Sequence, residues 1–203
     1  MNKLTVIGDV HGKRKQYLDI IKDVDYSVQL GDMDFNYDHL NNVGENHLFF
    51  GGNHDNYDII NNCKNNLGDF GLLNDRFNWI NEPVFFIRGE DSIDKNQRID
   101  GVSWWRNEEL SKSQMDLVVD MYCEQKPDII LTHGCPDLIY KIVLGKFQRS
   151  SPSSTSKFLS VLYSIHRPKL WLFGHHHISL NMVYENVTNF ICLDELETHT
   201  INF

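Results

Sequence analysis

Five short apolar runs in this chain each stop at, or just before, a glycine-flanked cluster of Asp, Asn and His. Leu4-Thr5-Val6-Ile7 runs into Gly8-Asp9-Val10-His11-Gly12, and Leu30 into Gly31-Asp32-Met33-Asp34. Phe50 is followed by Gly51-Gly52-Asn53-His54-Asp55, Leu131 by Thr132-His133-Gly134, and Phe173 by Gly174-His175-His176-His177. Apolar runs bounded by such turn residues read as buried strands. Where strands of this kind alternate with helices they form a parallel sheet, and ligands gather beyond the carboxyl ends of its strands. The five clusters can therefore meet in one crevice, with glycine permitting close backbone approach. One cluster alone reads as a surface turn; five in series read as a site.

The rest of the chain supports an α/β fold. Lys13 to Asp23 places Tyr17, Leu18, Ile20 and Ile21 on one helical face, and Tyr26 to Leu30 and His47 to Phe50 are two further strands. Helices are expected around Tyr37 to Val43 and Asn56 to Cys63, which completes a β-α-β-α-β order. Phe77 to Ile80, Val84 to Arg88 and Arg98 to Trp104 read as strands, with Trp104 and Trp105 on opposite faces. Ser111 is positioned to cap a helix from Lys112 to Glu124, whose apolar side is Met115, Leu117, Val118, Met121 and Tyr122. Asp128 to Leu131 is a buried strand, and Cys135-Pro136 shapes the turn after it. Two helices fill 137–166, separated by the Ser/Gly/Pro loop Gly145 to Ser154, a candidate lid carrying Lys146 and Arg149. Lys169 to Phe173 is a strand, and Leu180 to Phe203 holds three short ones. No repeat is present, and 1–203 reads as a single domain.

Composition excludes several classes. A net charge of −9 over 203 residues argues against broad binding to a nucleic-acid backbone or an anionic membrane. No apolar run approaches the roughly 20 residues of a membrane span, and the opening Met1 to Asp9, its apolar run soon interrupted by Gly8-Asp9, does not read as a signal peptide. The four cysteines contain no Cys-x-x-Cys pair, so reduced thiols in a cytoplasm are expected.

Asp, His and Asn offer oxygen and nitrogen donors without thiolate, a set suited to a pair of divalent ions such as Mn, Fe, Zn or Ni. Two such ions about 3.5–4 Å apart orient a phosphate for in-line attack. Asp9 and His11 can serve one ion, and His175 and His177 can split between two. A structural zinc module would instead use Cys or Cys/His sets.

In order, these residues resemble the calcineurin-like metallophosphoesterase superfamily, whose pattern runs Asp-x-His, Gly-Asp, Gly-Asn-His-Asp/Glu, His, Gly-His-x-His. The resemblance spans Gly8 to His177 and is to small bacterial- or phage-type members. It implies a four-layer α/β/β/α sandwich and two divalent metals, manganese first. Asp9, His11, Asp32 and His177 would hold one ion, and Asp32, Asn53, His133 and His175 the other, with Asp32 the bridge. His54 would stabilise or protonate the leaving oxygen and Asp55 would orient it. The implied activity is hydrolysis of phosphate mono- or diesters by a metal-held hydroxide. The chain departs from the protein Ser/Thr phosphatase branch at Asp34 and Phe35, where that branch has a differently placed acid followed by Arg-Gly. Arg88 to Arg98 resembles segments of the small members, and Arg98 or Lys95 could reach a substrate phosphate. A small, nucleotide-like substrate is favoured. A nuclease and a non-catalytic protein-binding scaffold are the alternatives. His176 is expected to point away from the ligands.

Overall fold

The computed structural model describes residues 2–33, 37–144 and 152–203. Asp34 and Phe35 lie outside the described residues, as do Lys146 and Arg149 of the candidate lid.

Two sheets carry the fold. In the first, β1 (Lys3–Ile7), β2 (Ser27–Gln29) and β3 (His47–Phe49) run parallel, and β10 (Thr198–Asn202) lies antiparallel against β1. In the second, β5 (Val84–Ile87), β6 (Ile129–Thr132), β7 (Leu170–Phe173) and β9 (Thr188–Cys192) are parallel. The antiparallel strands β4 (Phe70–Leu72) and β8 (Leu180–Tyr184) form its edges.

The side-chain period of two sorts each strand between two apolar layers. Leu4 and Val6 of β1, Val28 of β2 and Leu48 of β3 pack with Val84, Phe86, Ile129, Leu131, Leu172 and Ile191 of the second sheet. The alternate residues face helices. Ile7 and Phe49 pack with Tyr17 and Ile21 of α1 (Arg14–Lys22) and with Tyr57 and Ile60 of α2 (Tyr57–Ile60). On the far side, Phe85, Ile130, Trp171 and Phe190 meet Val118 and Tyr122 of α3 (Lys112–Gln125), Ile139 of α4 (Asp137–Leu144) and Leu159 and Leu162 of α5 (Ser154–Ile165). Cover on both faces explains why β5 and β7 are apolar at every position. The layers are helix, sheet, sheet, helix, as the motifs implied.

Several local expectations need correction. Phe77 to Ile80 is a turn, because the Asn74 carboxamide donates to the carbonyls of Ile80 and Glu82 and accepts from the N–H of Val84, taking the place of a strand partner. Arg98 to Trp104 is also turned: the N–H groups of Val102, Ser103 and Trp104 all converge on the carbonyl of Ile99. Trp104 and Trp105 therefore do not alternate across a strand, and Trp105 packs beside α1 and α2. Residues 38–42 form a 3₁₀ turn, not an α-helix, and the helix after Asn56 is only four residues long. Leu18 and Leu117 lie exposed on their helices, and α5 begins at Ser154, capped by Ser153 inside the expected loop. The edge strand β4 was not anticipated; Gly71 in its middle, at positive φ, hides it from a β-pattern.

Candidate metal centre

Parallel strands bring their carboxyl ends to one edge of each sheet, and the five motif loops follow five such ends. Asp9 and His11 follow β1, Asp32 follows β2, Asn53 and His54 follow β3, His133 follows β6, and His175 and His177 follow β7. The seven candidate ligands thus come from both sheets and meet over the seam between them.

One group is formed by Asp9, His11, Asp32 and His177, whose ligand atoms all lie within 4.8 Å of one another. His11 Nε2 is 2.8 Å from His177 Nε2 and 3.6 Å from both Asp9 Oδ2 and Asp32 Oδ2. The second group centres on Asn53 Oδ1, which lies 2.9 Å from His133 Nε2 and 2.8 Å from His175 Nδ1. Asp32 belongs to both. Its Oδ2 faces His11, while its Oδ1 lies 3.5 Å from His133 Nε2 and accepts the N–H of His54 at 2.7 Å.

The backbone around these ligands is tightly specified. His11, Asp32, His175 and His177 all have positive φ, between 46° and 67°. Left-handed backbone is uncommon for residues with a side chain and persists only where surrounding contacts impose it. Here those contacts are visible. Asp9 accepts the N–H of His175 on both oxygens at 3.1 Å. The fully buried Asp55 accepts from the N–H groups of Asp32 (2.8 Å), Met33 (3.0 Å) and Gly52 (2.8 Å) and from the Tyr37 hydroxyl (2.8 Å). A methyl group at Gly52 would overlap Asp32, so that loop passes the carboxylate only as glycine.

Electrostatics mark the site as one that attracts cations. Burial would raise the pKa of Asp9, yet bonds to His11 and His177 and the nearby His133 hold it far below the usual carboxylate range. Burial opposes charge on His11 and His133 as well, but the carboxylates of Asp9 and Asp32 raise both above ordinary histidine. His133 Nδ1 lies 2.8 Å from the carbonyl of Leu30 and donates to it. With Nδ1 donating there, Nε2 points at the Asn53 oxygen, and two lone pairs at that distance need a positive charge between them, a role a cation fills in place of a proton on His133. A divalent ion with imidazole, carboxylate and carboxamide bonds of about 2.0–2.2 Å suits these spacings. The residues fit metal.

His54 stands beside this cluster, its ring edge-on to His11 at 5.0 Å. Burial, reinforced by Arg98, His11 and His133 against the opposing Asp32, lowers its pKa. Arg98 reaches it: Nη2 lies 2.8 Å from His54 Nε2, and Asp94 Oδ1 holds the Arg98 Nε at 2.7 Å. A cavity of about 300 Å³ opens here, lined by Asp32, Asn53, His54, Asp94, Arg98 and the His175–His177 run. Lys95 instead pairs with Asp91 at 2.6 Å. His176 places Nε2 3.3 Å from Cys135 Sγ and its ring against Tyr140 and Phe173, although it also borders the cavity.

The family model of the calcineurin-like phosphoesterases matches residues 3–179. The chain belongs to this family. Solved structures share its fold at low identity. The protein TT1561 of Thermus thermophilus is 11% identical with a TM-score of 0.54, covering 99% of this chain and 98% of that one. A dimetal phosphatase from Danio rerio is 12% identical with a TM-score of 0.53, covering 98% and 91%. A Staphylococcus aureus protein described as a putative 5'-nucleotidase is 13% identical with a TM-score of 0.56, covering 98% of this chain and 50% of that one. No curated protein matches the chain in sequence. Among the described residues no helix is long and apolar enough to cross a membrane.

Three residues around this candidate site were not anticipated. Ser92 bonds the Asn53 amide at 3.2 Å, Glu108 bonds Ser92, and Glu195 Oε1 lies 3.6 Å from His177 Nδ1. Ser92 and Glu195 follow β5 and β9, two further parallel strands, and position after a strand was the one available signal.

Proposed function

We propose that residues 1–203 work as one domain, a two-metal phosphoesterase that hydrolyses phosphate mono- or diesters of small, nucleotide-like molecules. The observation that carries this reading is the placement of Asp32, whose two oxygens face two separate donor groups beside His54 and an open cavity. Nucleotidase and phosphatase descriptions among proteins of the same fold agree with a small phosphorylated substrate. Two divalent ions, manganese first with Fe, Zn or Ni admissible, would supply Lewis-acid charge and an acidified water. Asp9, His11, Asp32 and His177 would hold one, and Asp32, Asn53, His133 and His175 the other. Four free thiols suit a cytoplasmic setting.

The chain's own residues do the rest. His133 is fixed by the Leu30 carbonyl in the tautomer that leaves Nε2 free to ligate. Arg98 can only donate, so in the resting site His54 Nε2 accepts from it and His54 is neutral there. An entering phosphate offers Arg98 a better, charged acceptor. Once released, His54 Nε2 can take up a proton from solvent and pass it to the leaving oxygen. Asp55 acts at one remove: it holds the backbone of Asp32, and Asp32 Oδ1 in turn holds the N–H of His54.

The test is hydrolysis of p-nitrophenyl phosphate and bis-p-nitrophenyl phosphate by Mn(II)-loaded protein, with metal content measured for wild type and His54→Ala. We expect His54→Ala to keep two ions and lose kcat by roughly 10²–10⁴-fold. Unchanged turnover removes His54 from the reaction. A wild type silent on both esters with two ions bound favours a scaffold.

A further inference from the structure

Asn53 has one side chain with two unlike ends, and only the oxygen can ligate a cation. Its Oδ1 faces His133 and His175, while its Nδ2 donates to Ser92 Oγ at 3.2 Å. Ser92 is fully buried and has a single hydroxyl proton to place. Two acceptors compete for that proton, Glu108 Oε2 at 2.6 Å and the main-chain carbonyl of Asn53 at 3.4 Å. The shorter, carboxylate bond is the stronger, so the proton lies toward Glu108 and a lone pair toward Asn53. Glu108, 2% exposed, is fixed in turn because its Oε1 accepts the N–H of Ser92 at 2.9 Å. The run has a single polarity, from Asn53 amide to Ser92 hydroxyl to Glu108 carboxylate.

We propose that Glu108, acting through Ser92, is a positioning residue that sets which end of the Asn53 carboxamide faces the metal site. The inference rests on the two-metal reading above. A flipped amide would turn N–H bonds toward the ion and leave the Asn53 oxygen against the Ser92 lone pair. Outer bonds of this kind commonly set metal affinity by roughly 10–100-fold.

Polarity reversal tests it. In Glu108→Gln the Ser92 N–H keeps the Gln oxygen, so the new amide N–H₂ faces Ser92 Oγ and donates to it. The hydroxyl proton is then returned toward Asn53, and a flipped amide offers it an oxygen at the 3.2 Å now held by Nδ2, nearer than the main-chain carbonyl at 3.4 Å. Equilibrium dialysis against Mn(II) should find two ions on wild type. Glu108→Gln should retain one with unchanged affinity and bind the other roughly 10–100-fold more weakly. Ser92→Ala, which keeps the carboxylate and loses the relay, should weaken the same ion and covers the case in which Glu108→Gln does not fold. Adding Asn53→Asp to Glu108→Gln should restore the second ion, because a carboxylate accepts the returned proton with one oxygen and ligates with the other. General structural damage would not be repaired in this way. Two ions at wild-type affinity in Glu108→Gln or Ser92→Ala, or losses that simply add in the double variant, overturn the proposal. Fewer than two ions on wild type overturns the two-metal reading itself, and the relay with it.

Discussion

Histidines in this chain titrate in opposite directions for reasons that can be read at each residue. His11 and His133 sit among carboxylates and are raised despite burial, whereas His47, at the start of β3, is lowered by burial and only weakly opposed by Asp25. The consequence for His47 has a definite sign. Its folded-state pKa lies below the unfolded value of about 6.5, so the unfolded chain takes up the proton first as pH falls. Its contribution is complete above that value and is lost as pH drops through the folded pKa. In metal-free protein, His47→Gln should therefore flatten the decline of the urea midpoint on acidification from about pH 7. An unchanged decline would show that other groups, Asp9 among them, carry the whole effect. Gln can still bond Ser27 Oγ, the 3.0 Å partner of His47 Nδ1, so packing is little disturbed.

Among the elements, helix α3 was the most legible. Ser111 accepts the N–H of Gln114 at 3.3 Å, and the Gln114 side chain accepts the N–H of Ser111 at 2.8 Å, a reciprocal cap written in a four-residue spacing. Ser111→Ala should cost about 1 kcal/mol, measured by urea unfolding, with metal content unchanged. The motif loops were legible for a related reason: ligation demands particular donor atoms, and a strand end fixes where they go. Elements failed where side chains, not backbone ladders, made the bonds. Asn74 closes the turn at 77–80 through three bonds that no apolar pattern announces. Ser92 and Glu108 stood in no motif: they are 16 residues apart on irregular chain, and Ser92 meets both Glu108 and Asn53 only in three dimensions, its place after a strand being the one hint.

For the molecule as a whole, the decisive fact is that each donor group draws on both sheets. Asp9, His11 and Asp32 from the first sheet meet His177 from the second, and Asp32 and Asn53 meet His133 and His175. Ions held there would bind the folded chain and not the unfolded one, so stability should rise with free Mn(II). The gain is about 2.7 kcal/mol per ion at a hundredfold excess over Kd. A thermal midpoint that is the same in EDTA and in Mn(II) would exclude ligation by this constellation. The apolar layer between the sheets ends under these residues, so the same line that packs the protein also carries its polar site. Ion occupancy would then act as a clasp at one end of a seam whose body is the apolar layer between the sheets. Chelation should be felt by amide protons of β1 and β6 far below the cavity, whose slowest exchange requires the two sheets to part.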